Sequence, residues 1–239
     1  MSGSLKTPFG IIRILLVLII LASIVMIDVV TLRFGSVMIV VLALVNFLER
    51  KDDANWSRFL LLMFIAMLIC SIADFLMAGI FYIIPGESLI NGVIFFLTGH
   101  VIYLLALRNR SSLLLRSESP KLITRNLLIW IVGMVVLFVL FFFTLFNPAN
   151  MVISIGLIFY GIFLTSSLVF SVTKWFDDFP RLFSLCLIIG FLLFFISDYI
   201  LGYKILIDGS FLSGIDAVGY TYLLGQMIIH LSPMFTSEQ

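Results

Sequence analysis

The sequence predicts an all-α integral membrane protein, a single bundle of eight transmembrane helices with both termini on the cytoplasmic side. Three observations carry that prediction. First, 62% of the 239 residues are hydrophobic and only 11% are charged, whereas a soluble chain carries about 25% charged residues. There is too little polar surface here to face water on all sides, which excludes a soluble enzyme, a disordered chain and a secreted disulfide scaffold. Second, the apolar residues gather into eight runs separated by segments too short to fold as extramembrane domains. Third, the cations are unevenly divided between alternate segments. Lys+Arg 14 against Asp+Glu 13 leaves no basic excess that would point to nucleic acid.

Crossing the hydrocarbon core takes about 20 apolar residues in a helix. Cut at charged and Pro/Gly clusters, the candidate spans run near Ile11–Val30, Gly35–Leu48, Trp56–Ile84, Ser88–Leu107, Ile123–Phe146, Met151–Val172, Leu182–Ile207 and Ala217–Leu231. The first reads as a span rather than a cleaved leader, because no small-residue cleavage site closes it. Pro85-Gly86 is the expected stop of the third, Asn147-Pro148 parts the fifth from the sixth, and Phe179-Pro180 opens the seventh. Cys70 and Cys186 both fall within apolar runs and read as small packing residues.

Orientation follows from the cations. With the N-terminus inside, Lys6, Arg13, Arg50, Lys51, Arg58, Arg108, Arg110, Arg116, Lys121, Arg125, Lys174 and Arg181 fall on the inner side, and only Arg33 and Lys204 on the outer. A cell (inner) membrane location is expected on this topology.

An ionisable group at membrane depth costs about 2.5–3.5 kcal/mol on insertion scales and therefore needs a use. Two carboxylates fit: Asp74, in Ile72-Ala73-Asp74-Phe75, and Asp198, in Ile196-Ser197-Asp198-Tyr199. Each is followed in the next span by a polar residue after glycine, His100 in Leu97-Thr98-Gly99-His100 and Gln226 in Leu224-Gly225-Gln226. Spans three and four therefore look like spans seven and eight. An offset of four spans preserves orientation, so the expected arrangement is a 4+4 parallel repeat, with residues 1–239 forming one membrane domain and its halves near 1–121 and 122–239.

On straight helices rising 1.5 Å per residue, Asp74, Asp198, His100 and Gln226 would all reach one level, about 14–18 Å from the span ends. His100 and Tyr103 share one helical face, and Tyr222, Gln226 and His230 another. His230, close to the inner interface, reads as an anchor. The residues alone leave each aspartate open to a purely structural reading, a protonated carboxyl fastening two helices. They also leave open a carrier or lipid-binding protein that uses the carboxylates for proton or cation coupling.

Motifs for serine hydrolysis, zinc proteolysis and nucleotide binding are missing from the sequence. The two histidines fall at different depths and the cysteines far apart, so no metal set and no cofactor is expected. Carboxylate chemistry remains.

Ala73-Asp74, Gly99-His100-x-x-Tyr103, Ser197-Asp198 and Tyr222-x-x-Gly225-Gln226, in that order across eight spans, resemble the signature of the YhhN-like membrane proteins, which include the lysoplasmalogenases. The family's Lys-Pro pair at the start of the second helix is replaced here by Leu32-Arg33-Phe34, where Arg33 supplies a cation.

The resemblance implies hydrolysis of the vinyl ether of a lysophospholipid substrate held in the bilayer. The products are a fatty aldehyde and a glycerophospho-ethanolamine or -choline. A vinyl ether resists nucleophiles but cleaves once carbon is protonated, through an oxocarbenium ion, so the site needs one acid and one anion. Two aspartates in low dielectric meet that need when one holds a proton and the other a charge. On this reading Asp74 and Asp198 are catalytic, His100, Tyr103, Tyr222 and Gln226 position water or substrate, and Arg33 and Lys204 meet the headgroup.

Overall fold

The computed structural model describes residues 8–26, 28–108, 120–177, 179–207, 209 and 216–236. Among the described residues there are eight α-helices and no strand. They are α1 (Pro8–Val25), α2 (Val29–Glu49), α3 (Ser57–Met77), α4 (Ser88–Arg108), α5 (Pro120–Leu140), α6 (Met151–Phe176), α7 (Arg181–Leu206) and α8 (Ala217–Leu231). A π turn, Phe141–Leu145, prolongs α5, and a 3-10 turn, Ser232–Phe235, follows α8. Seven of the eight are long and apolar enough to cross a membrane. The eighth, α8, has 15 residues. The chain is thus a multi-pass membrane protein. Helices suit that setting because they satisfy every backbone group internally.

Polarity is distributed as the bilayer demands. Val132, Phe143, Val152 and many other large apolar side chains face outward, while Ser36, Asn46, Asp74, His100, Ser167 and Gln226 are buried. The closest helix pairs are α3 with α4 and α7 with α8; α2 packs on α3 and α6 on α7, α1 on α2 and α5 on α6. Two further seams join these groups, α2 with α8 and α4 with α6. α1 also lies against α8. Small residues set the tightest approaches. A Cβ on Gly225 would lie 2.8 Å from the Gly190 carbonyl oxygen, so α7 and α8 meet backbone to backbone, and one on Gly99 would lie 2.6 Å from the Cys70 sulfur.

α1 ends at Val25 rather than Val30, α5 begins at Pro120 rather than Ile123, and α6 runs to Phe176 rather than Val172; the differences at α2 and α3 bear on the site. α2 begins at Val29 rather than Gly35 because Asp28 caps it. The Asp28 carboxylate accepts from the Val30 and Thr31 N–H groups at 2.8 Å each, and the Thr31 hydroxyl accepts from the Asp28 N–H at 2.8 Å, a capping box. The Thr31 N–H, and after it that of Val30, hold this carboxyl below the usual carboxylate range. Arg33, expected in an outer segment, consequently sits inside α2.

α3, in turn, stops at Met77 instead of Ile84. Gly79 takes φ +67°, and the Gly79 and Ile80 N–H groups reach back to the carbonyls of Leu76 and Phe75. That is a Schellman cap, which needs a left-handed residue past the helix end. The Asn91 side chain then pins the following loop by donating to the Ile84 carbonyl and accepting from the Ile84 N–H. Arg13, counted with the inner cations, is buried within α1, where it pairs with Glu49 at the end of α2 and donates to Asn46 Oδ1 at 2.8 Å. Lys6, Arg110 and Arg116 of that count lie outside the described residues.

Candidate functional site

Asp74 lies three residues before the end of α3, about 4.5 Å along the axis at 1.5 Å per residue. The early stop therefore places it closer to one end of the bundle than a helix running to Ile84 would. Its carboxylate is buried and accepts two hydroxyl protons on one oxygen, from Ser36 of α2 at 2.5 Å and from Tyr222 of α8 at 2.8 Å. Arg33, one turn before Ser36, is near enough to act on this carboxylate electrostatically.

Asp198 lies eight residues before the end of α7, about 12 Å on the same rise, and is half-buried. It accepts the hydroxyl proton of Tyr160 from α6. Asp198 lies within electrostatic reach of Asp74, yet among the described residues no hydrogen bond joins them directly. Cys70, one turn before Asp74 on α3, is within electrostatic reach of both.

Rings fill the space between the carboxylates. Tyr222 meets Phe194 with centroids 5.4 Å apart, Phe194 meets His100 at 4.7 Å, and His100 meets Tyr160 edge to face at 5.5 Å. His100 is fully buried and has Nδ1 3.3 Å from the Ser167 hydroxyl of α6. Ser167 gives its own proton to the Phe163 carbonyl, so it accepts from His100. The histidine then carries its proton on Nδ1 and presents a lone pair at Nε2. Among the described residues that nitrogen is buried without a hydrogen-bond partner.

The remaining expected residues form a second group, deeper along α4 and α8. Tyr103 donates to Gln226 Oε1 at 2.8 Å and lies 3.0 Å from His230 Nε2. His230, expected to be an interfacial anchor, is buried, and its carbonyl accepts from Asn46 Nδ2 at 2.6 Å. This chain continues through Arg13 to Glu49. Because it passes through a backbone carbonyl, it fastens α1, α2, α4 and α8 rather than conducting protons. Lys204 lies in the last turn of α7 and forms no ion pair among the described residues.

Asp74 is thus brought together with Tyr222, and Tyr103 with Gln226. Sequence reasoning missed Ser36, Tyr160 and Ser167. A signal for two of them existed: Ser36 precedes Asp74 by 38 residues, and Tyr160 precedes Asp198 by 38. Among the described residues, no three His, Cys, Asp or Glu side chains converge into a set that could hold a metal ion.

Asp198 also borders open space. A cavity of about 20 Å³ lies against it and Tyr160, between α4, α6 and α7, large enough for about one water. A half-buried carboxyl, a phenol and a water-sized space thus meet between α4, α6 and α7, with the His100 ring against that of Tyr160.

Neither a curated protein nor a solved structure matches this chain. The YhhN family model matches residues 30–233, a range that takes in both aspartates, His100, Tyr103, Tyr160, Tyr222 and Gln226. The chain belongs to the YhhN family, which includes lysoplasmalogenase.

Proposed function

We propose that this protein is a lysoplasmalogenase-like hydrolase that cleaves the vinyl ether of a lysoplasmalogen, with Asp198 as the acid and Asp74 as the anion. The observation that carries this reading is the unequal setting of the two carboxylates. Asp74 is closed in by two hydroxyl donors on one oxygen with Arg33 nearby, contacts that favour the charged form of a carboxyl group. Asp198 has one phenolic partner and faces the water-sized cavity.

The proposed reaction balances on one water. Asp198 gives its proton to the vinyl carbon remote from the ether oxygen. The alkene electron pair forms the new C–H bond, and an oxygen lone pair makes the oxocarbenium ion, whose positive charge Asp74 offsets across the aromatic wall. Water, oriented by the His100 Nε2 lone pair, adds to the oxocarbenium carbon and passes a proton to the Asp198 carboxylate, which restores the acid. The hemiacetal then collapses: its C–O bond to glycerol breaks, and its hydroxyl proton moves to the departing oxygen. The products are the aldehyde and the glycerophospho-ethanolamine or -choline. Tyr222 would hold Asp74 in place, while Tyr103 and Gln226 would hold α4 against α8 beneath the site. Arg33 and Lys204 would meet the phosphate.

The reading includes a 4+4 parallel repeat of about residues 1–121 and 122–239. The equal 38-residue spacings support it, as do the matched approaches of Gly99 to Ala66 and Cys70 and of Gly225 to Gly190 and Phe194. Both termini would be cytoplasmic in the cell membrane, placing the carboxylates nearer the outer face. An impermeant thiol reagent added to intact cells should then label Glu87→Cys and spare Asp53→Cys.

The functional test is direct. Purified protein in detergent is given a lysoplasmalogen and, separately, the ester lysophospholipid of the same headgroup and chain length. Aldehyde from the first alone is expected. Proton-coupled uptake into liposomes with no aldehyde would replace the enzyme by a carrier.

A further inference from the structure

A cavity of about 440 Å³ opens between α4 and α6, within the roughly 300–1,000 Å³ of small-molecule sites. Its walls carry only aliphatic and phenyl side chains and the bare backbone of Gly156. Thr98, on the same helix, gives its hydroxyl proton to the Ile94 carbonyl. Such a space stays dry, because a buried water needs two or more polar partners. Its rim is open to the lipid, since Ile94, Ile155 and Phe159 line it and are exposed.

This groove adjoins the space beside Asp198. Leu89, Val93 and Leu157 line both cavities and so form the wall between them. On α4 the groove runs from Leu89 to Leu97, about 12 Å of helix rise, long enough to hold a substantial part of one hydrocarbon chain. Gly156 keeps it wide, because a Cβ added there would meet nothing within 4 Å.

We propose that the α4–α6 groove is the binding site for the single hydrocarbon chain of a lysolipid, which enters sideways from the bilayer and reaches the space beside Asp198 by displacing Leu89, Val93 and Leu157. That the head-proximal bond is then cleaved rests on the hydrolase reading; occupancy of the groove does not. The lining comes from the facing sides of α4 and α6, a groove one helix seam wide, which suits a lone chain.

Gly156→Trp puts a bulky ring into the groove from a position whose Cβ meets nothing within 4 Å. In monodisperse protein with an unchanged melting temperature, it should lower kcat/KM roughly tenfold or more for a long-chain lysoplasmalogen while changing a short-chain one by less than about threefold, a difference of about 1.4 kcal/mol per decade. An unchanged chain-length profile in the folded variant, with wild-type activity intact, overturns the groove and leaves the hydrolase standing. A second readout does not depend on turnover: a lysophosphatidylcholine carrying a photoactivatable diazirine on its chain is crosslinked to wild-type and Gly156→Trp protein. Labelling of α4 and α6 that unlabelled lysolipid competes away, and that Gly156→Trp abolishes, supports the groove even if wild-type protein releases no aldehyde. Labelling no more saturable there than on the outward face of α5 overturns it. Competition by a diacyl phospholipid as effective as that by the lysolipid overturns the single-chain assignment.

Discussion

The two carboxylates each take a hydroxyl donor from 38 residues upstream, and their surroundings are finished differently. Around Asp74, the α2–α8 seam is shut. Leu223 and Ser23 crowd Gly35, α1 lies on both α2 and α8, and Arg13 ties α1 to Asn46 and Glu49. Around Asp198, the matching seam is α4–α6, and α5 packs on α6 without a comparable seam to α4, so the groove stays open. Ser36 and Tyr160 stand at the same spacing from their aspartates, but a serine leaves room for Tyr222 to reach Asp74 as well, whereas among the described residues Tyr160 is the one donor to Asp198. On the proposed repeat, closing one site and opening the other gives two chemically identical residues separate tasks.

The sharpest test of that division is the amide pair. Asp198→Asn removes the proposed acid and should lower aldehyde release by about 10²–10⁴-fold, the range for a general acid. Asp74→Asn removes the anion but leaves the acid, and about 10²-fold is expected. The double variant should lose little beyond Asp198→Asn, since groups acting as one unit are not additive. Rates are compared on monodisperse protein. Wild-type activity in either single variant ends the assignment of that aspartate.

Much of this was legible beforehand. The composition, the eight runs and the buried polar residues suffice for an all-helical membrane bundle, and the bounds of α8 agree with the predicted Ala217–Leu231. Helix ends were less legible where short-range caps compete with hydropathy. Asp28 starts α2 early, and Gly79 stops α3 inside an apolar run that continues through Ile84. Pro85-Gly86 looked the stronger break, but a single glycine able to take positive φ suffices. Tyr160 and Ser36 were hidden because hydroxyl residues are common in membrane helices, and only the shared spacing to an aspartate sets these two apart. The sequence marks Arg13 as a cation near the start of α1 but cannot show that Glu49 and Asn46 of α2 meet it.

The glycine contacts separate the halves again, at smaller cost. Gly225→Ala pushes a methyl group into the Gly190 carbonyl and the Phe194 N–H, backbone atoms that cannot yield, so α7 and α8 must part. Overpacking of this kind costs about 1–3 kcal/mol. Gly99→Ala meets chiefly the Cys70 sulfur, and Cys70→Ala in the same chain should restore the melting temperature. Melting curves in detergent decide this. Equal losses for both glycines, with no rescue, would show that the two approaches are alike.

Arg13→Leu should loosen the lid of the closed half. Both partners are largely buried, with side chains 6% and 21% exposed, and leaving Glu49 without its cation costs on the order of 3 kcal/mol. Hydrogen exchange in the α1 amides should then rise toward that of α5, which covers no comparable seam. Unchanged α1 protection would mean that α1 is held by apolar packing alone.

The smallest effect concerns how the second helix of each half begins. In the first half Asp28 caps α2; in the second, the Asn147 side chain accepts from the Ala149 N–H ahead of α6, and an amide does not titrate. Because the folded Asp28 carboxyl sits below its ordinary value, of about 3.9, its contribution is fully present above that value and is lost as pH falls through the lower, folded one. Asp28→Ala should therefore melt slightly below wild type at neutral pH, and the gap should narrow as pH drops below the usual carboxylate range. Asp28→Asn keeps a good cap and should show no such narrowing relative to Asp28→Ala. Melting temperatures of the three proteins across that range are the measurement. A gap between wild type and Asp28→Ala that stays constant to the acid end would mean that the Asp28 charge adds nothing to the start of α2.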